Sequence, residues 1–324
     1  MPYRFDPELA PWVTLLMEPD LSRPEQARAE MAATAARRAE LPGEHRQVRE
    51  VAVADLPVPA GNGGADVLVR VFTPEPAGRE DRGAVVFLHS GGFVVGSVDV
   101  ADGWTRTMAA ELDTVVISVD YRLAPEHPYP AALEDAWTAL EWTVKRVDEL
   151  GIDPTRIAVA GESAGAALAT ALAMLAQDRG GPAICFQSLA TPALDDRLTT
   201  QSMQQFVDTP MWNRPNAELS WKTYLRGVAE PGSPGVPELA APSRRADLRG
   251  LPPAFVSIAE FDPVRDEGLD YALRLMRAGV PTELHLYPGT FHGSRSVEHA
   301  GVSQRMTADL LSTLGRALAP PPVG

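Results

Sequence analysis

Two periods of hydrophobicity alternate along most of this chain. VREVAVADLPV (48–58) and DVLVRVFTP (66–74) alternate apolar and polar residues on either side of AGNGGAD (60–66), a pattern that predicts two strands joined as a hairpin. AVVFLH (84–89) and RIAVA (156–160) are unbroken apolar runs, as strands buried on both faces require. TVVISVDY (114–121), AICFQSLA (183–190), PAFVSIAE (253–260) and TELHLYP (282–288) read as further strands. Helical spacing fills the gaps: GWTRTMAAEL (103–112), PAALEDAWTALEWTVKRVDEL (130–150), AALATALAMLA (166–176), DEGLDYALRLMRAGV (266–280) and VSQRMTADLLSTLGRAL (302–318). Pro130 sits in the first turn of the second helix, and Gly180, Gly181 and Pro182 stop the third, whose Leu168, Leu172 and Leu175 share a face. Strands alternating with helices predict the α/β class: a mostly parallel central sheet covered by helices on both faces.

Two segments have no place in that alternation. Residues 1–45 hold the apolar stretch PWVTLLM (11–17) and a helix over 24–43, with Pro24 near its start and Gly43 beyond its end. The stretch from about 192 to 250 is irregular, with a helix expected somewhere within 195–230. The expected organisation is therefore an N-terminal helical cap (1–45) and one α/β domain (46–324) that carries a further cap insertion around 195–230.

Composition narrows the function classes. Hydrophobic residues at 45% and charged residues at 22% describe a globular chain with a sizeable core. A net charge of −14 repels phosphate backbones and anionic lipid, so neither nucleic acid nor a membrane surface is an expected partner. The one cysteine, Cys185, lies in an apolar run and excludes an intramolecular disulfide or a cysteine metal cage. No basic segment followed by an apolar one opens the chain, which leads to the expectation of a cytoplasmic protein. No stretch approaches the roughly 20 apolar residues of a membrane span. No G-x-G-x-x-G follows a strand, no P-loop is present, and DPVRDEG lacks calcium-loop spacing, so no cofactor or metal is implied.

The candidate chemistry starts at GESAG (161–165). With 26 glycines in the chain, roughly 0.1 accidental G-x-S-x-G matches are expected, so its context has to decide. Ser163 follows a buried strand and opens a helix, the setting of a nucleophile elbow, and a helix N-terminus adds free N–H groups beside it. A serine needs a base, and the base needs a group to orient it. Of the six histidines, His45, His127, His285 and His299 sit in polar, proline-rich, strand or helical settings, and His89 opens a glycine loop. His292, in YPGTFHG, stands on the loop after the last strand, where a base can reach the sheet edge. EFDPVRDEG (260–268) follows another strand and offers Asp262 in its loop, whereas Asp266 and Glu267 suit a first helical turn. The order Ser163, Asp262, His292 is one of three known chain orders for such a triad. HSGGF (89–93) follows a strand too, and the amides of Gly91, Gly92 and Ala164 are candidate donors to an oxyanion. Glu134, Asp135, Asp195 and Asp196 read as solvated, capping or loop carboxylates, and Glu162 as an elbow residue placed to orient its neighbours.

HSGGF, DYRLAPEHPYPAALED (120–135), GESAG, EFDPVRDEG and YPGTFHG together resemble the hormone-sensitive-lipase-like esterases of the α/β-hydrolase fold, from about residue 50 to the C-terminus. The resemblance implies Ser163 as nucleophile, Asp262 as acid, His292 as base, and Gly91, Gly92 and Ala164 as oxyanion donors. It also implies an N-terminal helical cap, a small-molecule ester as substrate, and a monomer or homodimer. Ser90 stands where the family's His-Gly-Gly-Gly loop has its first glycine, a position that is not a direct donor. Small residues at the elbow (Ala164, Ala166, Ala167) and apolar candidates Trp12, Leu16, Phe206, Met211 and Trp212 lead to an expectation of short to medium acyl chains. Two other readings share these residues. One is a non-hydrolytic receptor on the same fold, a class that typically lacks the catalytic histidine; the other is an amidase, lactonase or acyltransferase with the same triad.

Overall fold

The computed structural model describes residues 3–16, 18–40, 49–59, 66–76 and 81–320. The hairpin turn expected at 60–66 and His45 fall largely or wholly outside them. Strands β1 (Val51–Val58) and β2 (Val67–Pro74) pair antiparallel, as the hairpin reading requires. Strand β3 (Arg82–Leu88), helix α2 (Val98–Leu112), β4 (Val115–Asp120), α3 (Ala131–Lys145), the short α4 (Val147–Leu150) and β5 (Ile152–Glu162) follow. Then come α5 (Ala164–Arg179), β6 (Phe186–Ala190), α6 (Gln201–Gln205), α7 (Arg214–Tyr224), β7 (Ala254–Phe261), α8 (Arg265–Arg277), β8 (Thr282–Phe291) and α9 (Gly301–Ala317). Helix α1 (Pro24–Glu40) precedes them all.

The sheet order is β1-β2-β4-β3-β5-β6-β7-β8, parallel from β4 to β8 and antiparallel at the β1 end. Every residue of β3 is buried, which explains why its sequence carries no polar alternation. Register then decides what meets at the carboxyl edge. Leu88 pairs with Gly161, Gly161 with Leu189, and Phe261 with Phe291. The residues that follow β3, β5, β7 and β8 are therefore brought to one rim, where open α/β sheets place their ligands.

Four local readings differ from the sequence pattern. Helix α5 is buried throughout Ala164–Ala176 rather than on one face, because it packs under the sheet with α3 beside it. The helix read over 130–150 breaks at Arg146 into α3 and α4. Strand β8 runs on through Pro288 to Phe291, so His292 follows it directly. Among the described residues 11–16 there is a single 3-10 turn, Ala10–Trp12, and the β-branched Val13 and Thr14 that follow disfavour a longer helix.

The described N-terminal residues together with α6 and α7 lie over the carboxyl edge, whereas residues 240–251 run back along α5. Phe5 packs edge-on to Phe261 and Phe291, with ring centroids 5.5 and 5.2 Å away, and Tyr3 reaches Phe206 at 5.8 Å. Leu21, Ala27 and Met31 of the N-terminal segment join Val94, Val95, Trp212 and Ala217 in one apolar cluster. Phe93 stacks on Tyr224 of α7 at 3.9 Å. No helix among the described residues is long and apolar enough to cross a membrane.

Candidate active site

Ser163 stands between β5 and α5 with φ +55° and ψ −118°, a backbone state that costs a β-carbon residue on the order of 1–3 kcal/mol. The surroundings impose it. A Cβ at Gly161 would lie 2.2 Å from the Gly165 carbonyl oxygen, and one at Gly165 would lie 2.0 Å from the Leu88 carbonyl oxygen. Only glycine at both places lets the elbow cross so close to β3. The Ser163 amide donates to Ala190 O at 2.9 Å, and Ser163 O accepts from Ala167 N at 3.1 Å, which fixes the turn on both sides.

His292 Nε2 lies 2.9 Å from Ser163 Oγ, and its Nδ1 lies 2.7 Å from Asp262 Oδ2. A carboxylate accepts only, so Nδ1 carries the proton and Nε2 presents its lone pair to the serine hydroxyl. Asp262 is fully buried, and its other oxygen accepts from Val264 N at 3.0 Å. Ser163 and His292 are only 2% and 8% exposed, so the relay works largely out of water. The three residues singled out in the sequence are thus brought together by three separate strands.

The glycine loop is aimed by its carbonyls. In a trans peptide the C=O and the next N–H point in opposite directions, so holding one directs the other. His89 Nδ1 lies 2.7 Å from Ser90 O and must donate to it, which directs the Gly91 amide away. Gly91 O accepts from Val94 N at 3.0 Å and Val95 N at 2.9 Å, which directs the Gly92 amide away. Both glycines have positive φ, +128° and +58°. A Cβ at Gly91 would meet Val95 O at 1.9 Å, and one at Gly92 would meet the Trp212 ring at 2.5 Å and Ser220 Oγ at 2.9 Å. Ala164, at the N-terminus of α5, is fully buried behind the serine. Burial pushes the His89 imidazole down to about 4, so it stays neutral and keeps its tautomer at physiological pH. The ring stacks on Tyr121 at 4.1 Å, whose hydroxyl donates to His89 O at 2.8 Å.

Of the five apolar candidates from the overlying segments, two approach this centre. The Trp212 ring lies above Gly92, 5.8 Å from the His292 ring, and the Met211 thioether lies against Gly293. Leu16 packs in the cluster that includes Met211. Phe206 is buried with Tyr3 and Phe261, and Trp12 meets the His299 ring at a tilt, 4.7 Å between centroids; His299 precedes α9 rather than lying on it. The carboxylates read as solvated, capping or loop residues mostly form ion pairs. Asp135 is buried and accepts from the Arg122 amide and Nη2, each at 2.8 Å; Glu134 is half exposed. Asp196 is buried under Arg244 at 2.6 Å, and Asp195 holds Arg197 at 2.7 Å. Glu162 does orient a neighbour: it pairs with Arg295, whose guanidinium sits 4.0 Å over Trp104. The sequence carried no signal for Arg295, Ser220 or Arg28, which meet their partners across 66 to 133 positions of chain.

Residues 85–295 match the family model described as the alpha/beta hydrolase fold. The chain is 44% identical over 234 residues to the carboxylesterase NlhH of Mycobacterium tuberculosis, covering 72% of each chain. It is 35% identical over 241 residues to an arylesterase of Saccharolobus solfataricus, covering 71% of this chain and 75% of that one. Among solved structures, a bacterial heroin esterase superposes with a TM-score of 0.93 at 43% identity, covering 98% of this chain and 99% of that one. With the elbow, the relay and the glycine loop at one sheet edge, these similarities lead to one assignment: the chain belongs to the hormone-sensitive-lipase-like family of the α/β-hydrolase fold.

Proposed function

We propose that this protein is a serine carboxylesterase acting on carboxylic esters of short to medium acyl chain. The observation that carries the reading is the continuous relay from Ser163 Oγ through His292 to Asp262, at 2.9 and 2.7 Å. His292 Nε2 takes the hydroxyl proton as Ser163 Oγ attacks the ester carbonyl carbon. The amides of Gly91, Gly92 and Ala164 receive the oxyanion of the tetrahedral intermediate. The intermediate collapses, the alkoxide leaves with the proton from His292, and an acyl-enzyme remains on Ser163. Water then gives its proton to Nε2, attacks the acyl carbon, and releases the carboxylic acid as the proton returns to Ser163. Asp262 stabilises the imidazolium formed in each half and keeps the ring turned to the serine.

Residues 1–45 and the insertion around 195–230 act in this reading as a cap over the catalytic domain. The acyl-chain preference rests on Trp212 and Met211, whose side chains crowd the space above Gly92 and beside His292. A cytoplasmic location belongs to the same reading.

The test is hydrolysis of p-nitrophenyl esters from acetate to palmitate by the wild type and Ser163→Ala. The wild type should turn over the short esters best, and the variant should lose about 10⁴-fold or more in kcat. A variant as active as the wild type removes Ser163 from the mechanism. A wild type that prefers palmitate refutes the chain-length assignment.

A further inference from the structure

Three consecutive carbonyls of the glycine loop are each held by a different part of the chain. Ser220 Oγ of α7 donates to Gly92 O at 2.7 Å, Ala124 N donates to Phe93 O at 2.9 Å, and Arg28 Nε of α1 donates to Val94 O at 2.8 Å. Arg28 does more than this. Its Nη2 donates to Ala124 O at 2.8 Å, and both terminal nitrogens meet Glu126, at 3.1 and 2.8 Å. One guanidinium therefore joins the N-terminal helix, the glycine loop and the 120–135 segment. A planar fork of donors can do this, whereas an ammonium cannot serve all three places at once.

The Val94 carbonyl is one end of a short relay. It shares a peptide plane with the Val95 N–H, which donates to Gly91 O at 2.9 Å. Gly91 O in turn shares its plane with the Gly92 N–H, a donor to the oxyanion in the reading above. Two trans peptides thus connect the Arg28 side chain to that amide, each plane turned by the hydrogen bond on its far side. The rest of α1 offers a small apolar contact, Ala27 and Met31 against the cluster of Val94, Val95 and Trp212. Its buried and half-buried positions are 24, 27, 28, 31, 34 and 35, a narrow stripe, and its other described side chains are exposed. Among those described side chains, Arg28 is the charged one that bonds beyond the helix and its N-terminal turn.

We propose that Arg28 is a positioning residue for the oxyanion loop, so that docking of the N-terminal helix sets the turnover of the site. This rests on the esterase reading. Arg28 touches no reacting atom, so its loss should act on the transition state and leave ester binding nearly alone.

The experiment compares wild type, Arg28→Ala and Arg28→Lys in the full-length chain, with kcat and KM on p-nitrophenyl butyrate. It adds the Ki of an aryl trifluoromethyl ketone, to which the serine adds to give a hemiketal oxyanion. Arg28→Ala should lower kcat about tenfold or more, less than the loss of an oxyanion donor outright, with KM changed no more than about twofold. Its Ki should weaken by the same factor as kcat, and Arg28→Lys should fall between. Amide hydrogen exchange at Val94 and Val95 should speed up in Arg28→Ala whether or not any ester is turned over. A folded Arg28→Ala with wild-type kcat and Ki overturns the proposal, as does a fall in kcat with an unchanged Ki. If Arg28→Ala does not fold, wild-type kcat and Ki in Arg28→Lys overturn it instead. A wild type inert to every ester would sink the esterase reading, while unchanged exchange at Val94 and Val95 would sink the positioning role separately.

Discussion

His89 offers a perturbation whose size follows from its surroundings. The ring is 2% exposed, and burial pushes it from 6.5 down to about 4. In the unfolded chain the same imidazole titrates near its ordinary value. As pH falls below 6.5 the unfolded state binds a proton that the folded state refuses, so stability is lost as pH drops, down to the folded value. From pH 7 to pH 5 this one group removes about 2 kcal/mol of stability, and about 3 kcal/mol once pH reaches 4. His89→Asn is the informative substitution. Its amide nitrogen can occupy the place of Nδ1 and donate to Ser90 O, so the loop is kept while the titration is removed. The smaller side chain leaves a gap, which costs a constant amount at every pH. Urea unfolding at pH 7 and pH 5 should therefore show the wild type losing about 2 kcal/mol more than the variant over that interval, with equal slopes against urea. Parallel losses in the two proteins would refute the assignment of a neutral, desolvated His89.

Glu267 is buried, its Oε1 accepts from Leu194 N at 2.7 Å, and desolvation, then the nearby Asp195 and Asp262, raises it well above 4.5. The folded state thus keeps a proton that the unfolded state releases, and stability falls as pH rises from 4.5 to the raised folded value; Glu267→Gln should lift Tm at pH 8 and leave it nearly unchanged at pH 4, and a variant less stable at both would refute this. Gly92→Ala places a methyl 2.5 Å from Trp212 and should lower kcat about 100-fold or more. Adding Trp212→Ala should recover part of that loss in kcat/KM, and a double variant no better than Gly92→Ala would show that the ring is not the obstacle.

Much of this molecule was legible in near-neighbour chemistry. The unbroken apolar run of β3 announced a strand buried on both faces, because a polar side chain there would have no water or partner. Ser163, Asp262 and His292 could be selected because each follows a strand, and in a parallel sheet every strand delivers its C-terminal residue to the same edge. The glycines of GESAG and HSGGF stood out because close backbone crossings leave no room for a β-carbon.

Burial and partnership of charges were another matter. Asp135 read as a solvated or capping carboxylate and Asp196 as a loop one, and nothing within a few residues revealed their burial, with Arg122 folding back or Arg244 arriving from 48 positions away. Helix α5 has a leucine face in its sequence, but α3, the sheet and the 240–251 segment together bury it. Arg28 sits in an alanine-rich helix like any solvated arginine, and only the docking of α1 carries it to Val94 O, 66 residues on. By itself the sequence determined the elements, their order and the three residues of the relay, because period, turn chemistry and strand ends are local properties. Tertiary structure alone decided which carbonyls are held, and so where the Gly91 and Gly92 amides point, because those bonds join segments whose approach is set by register and packing.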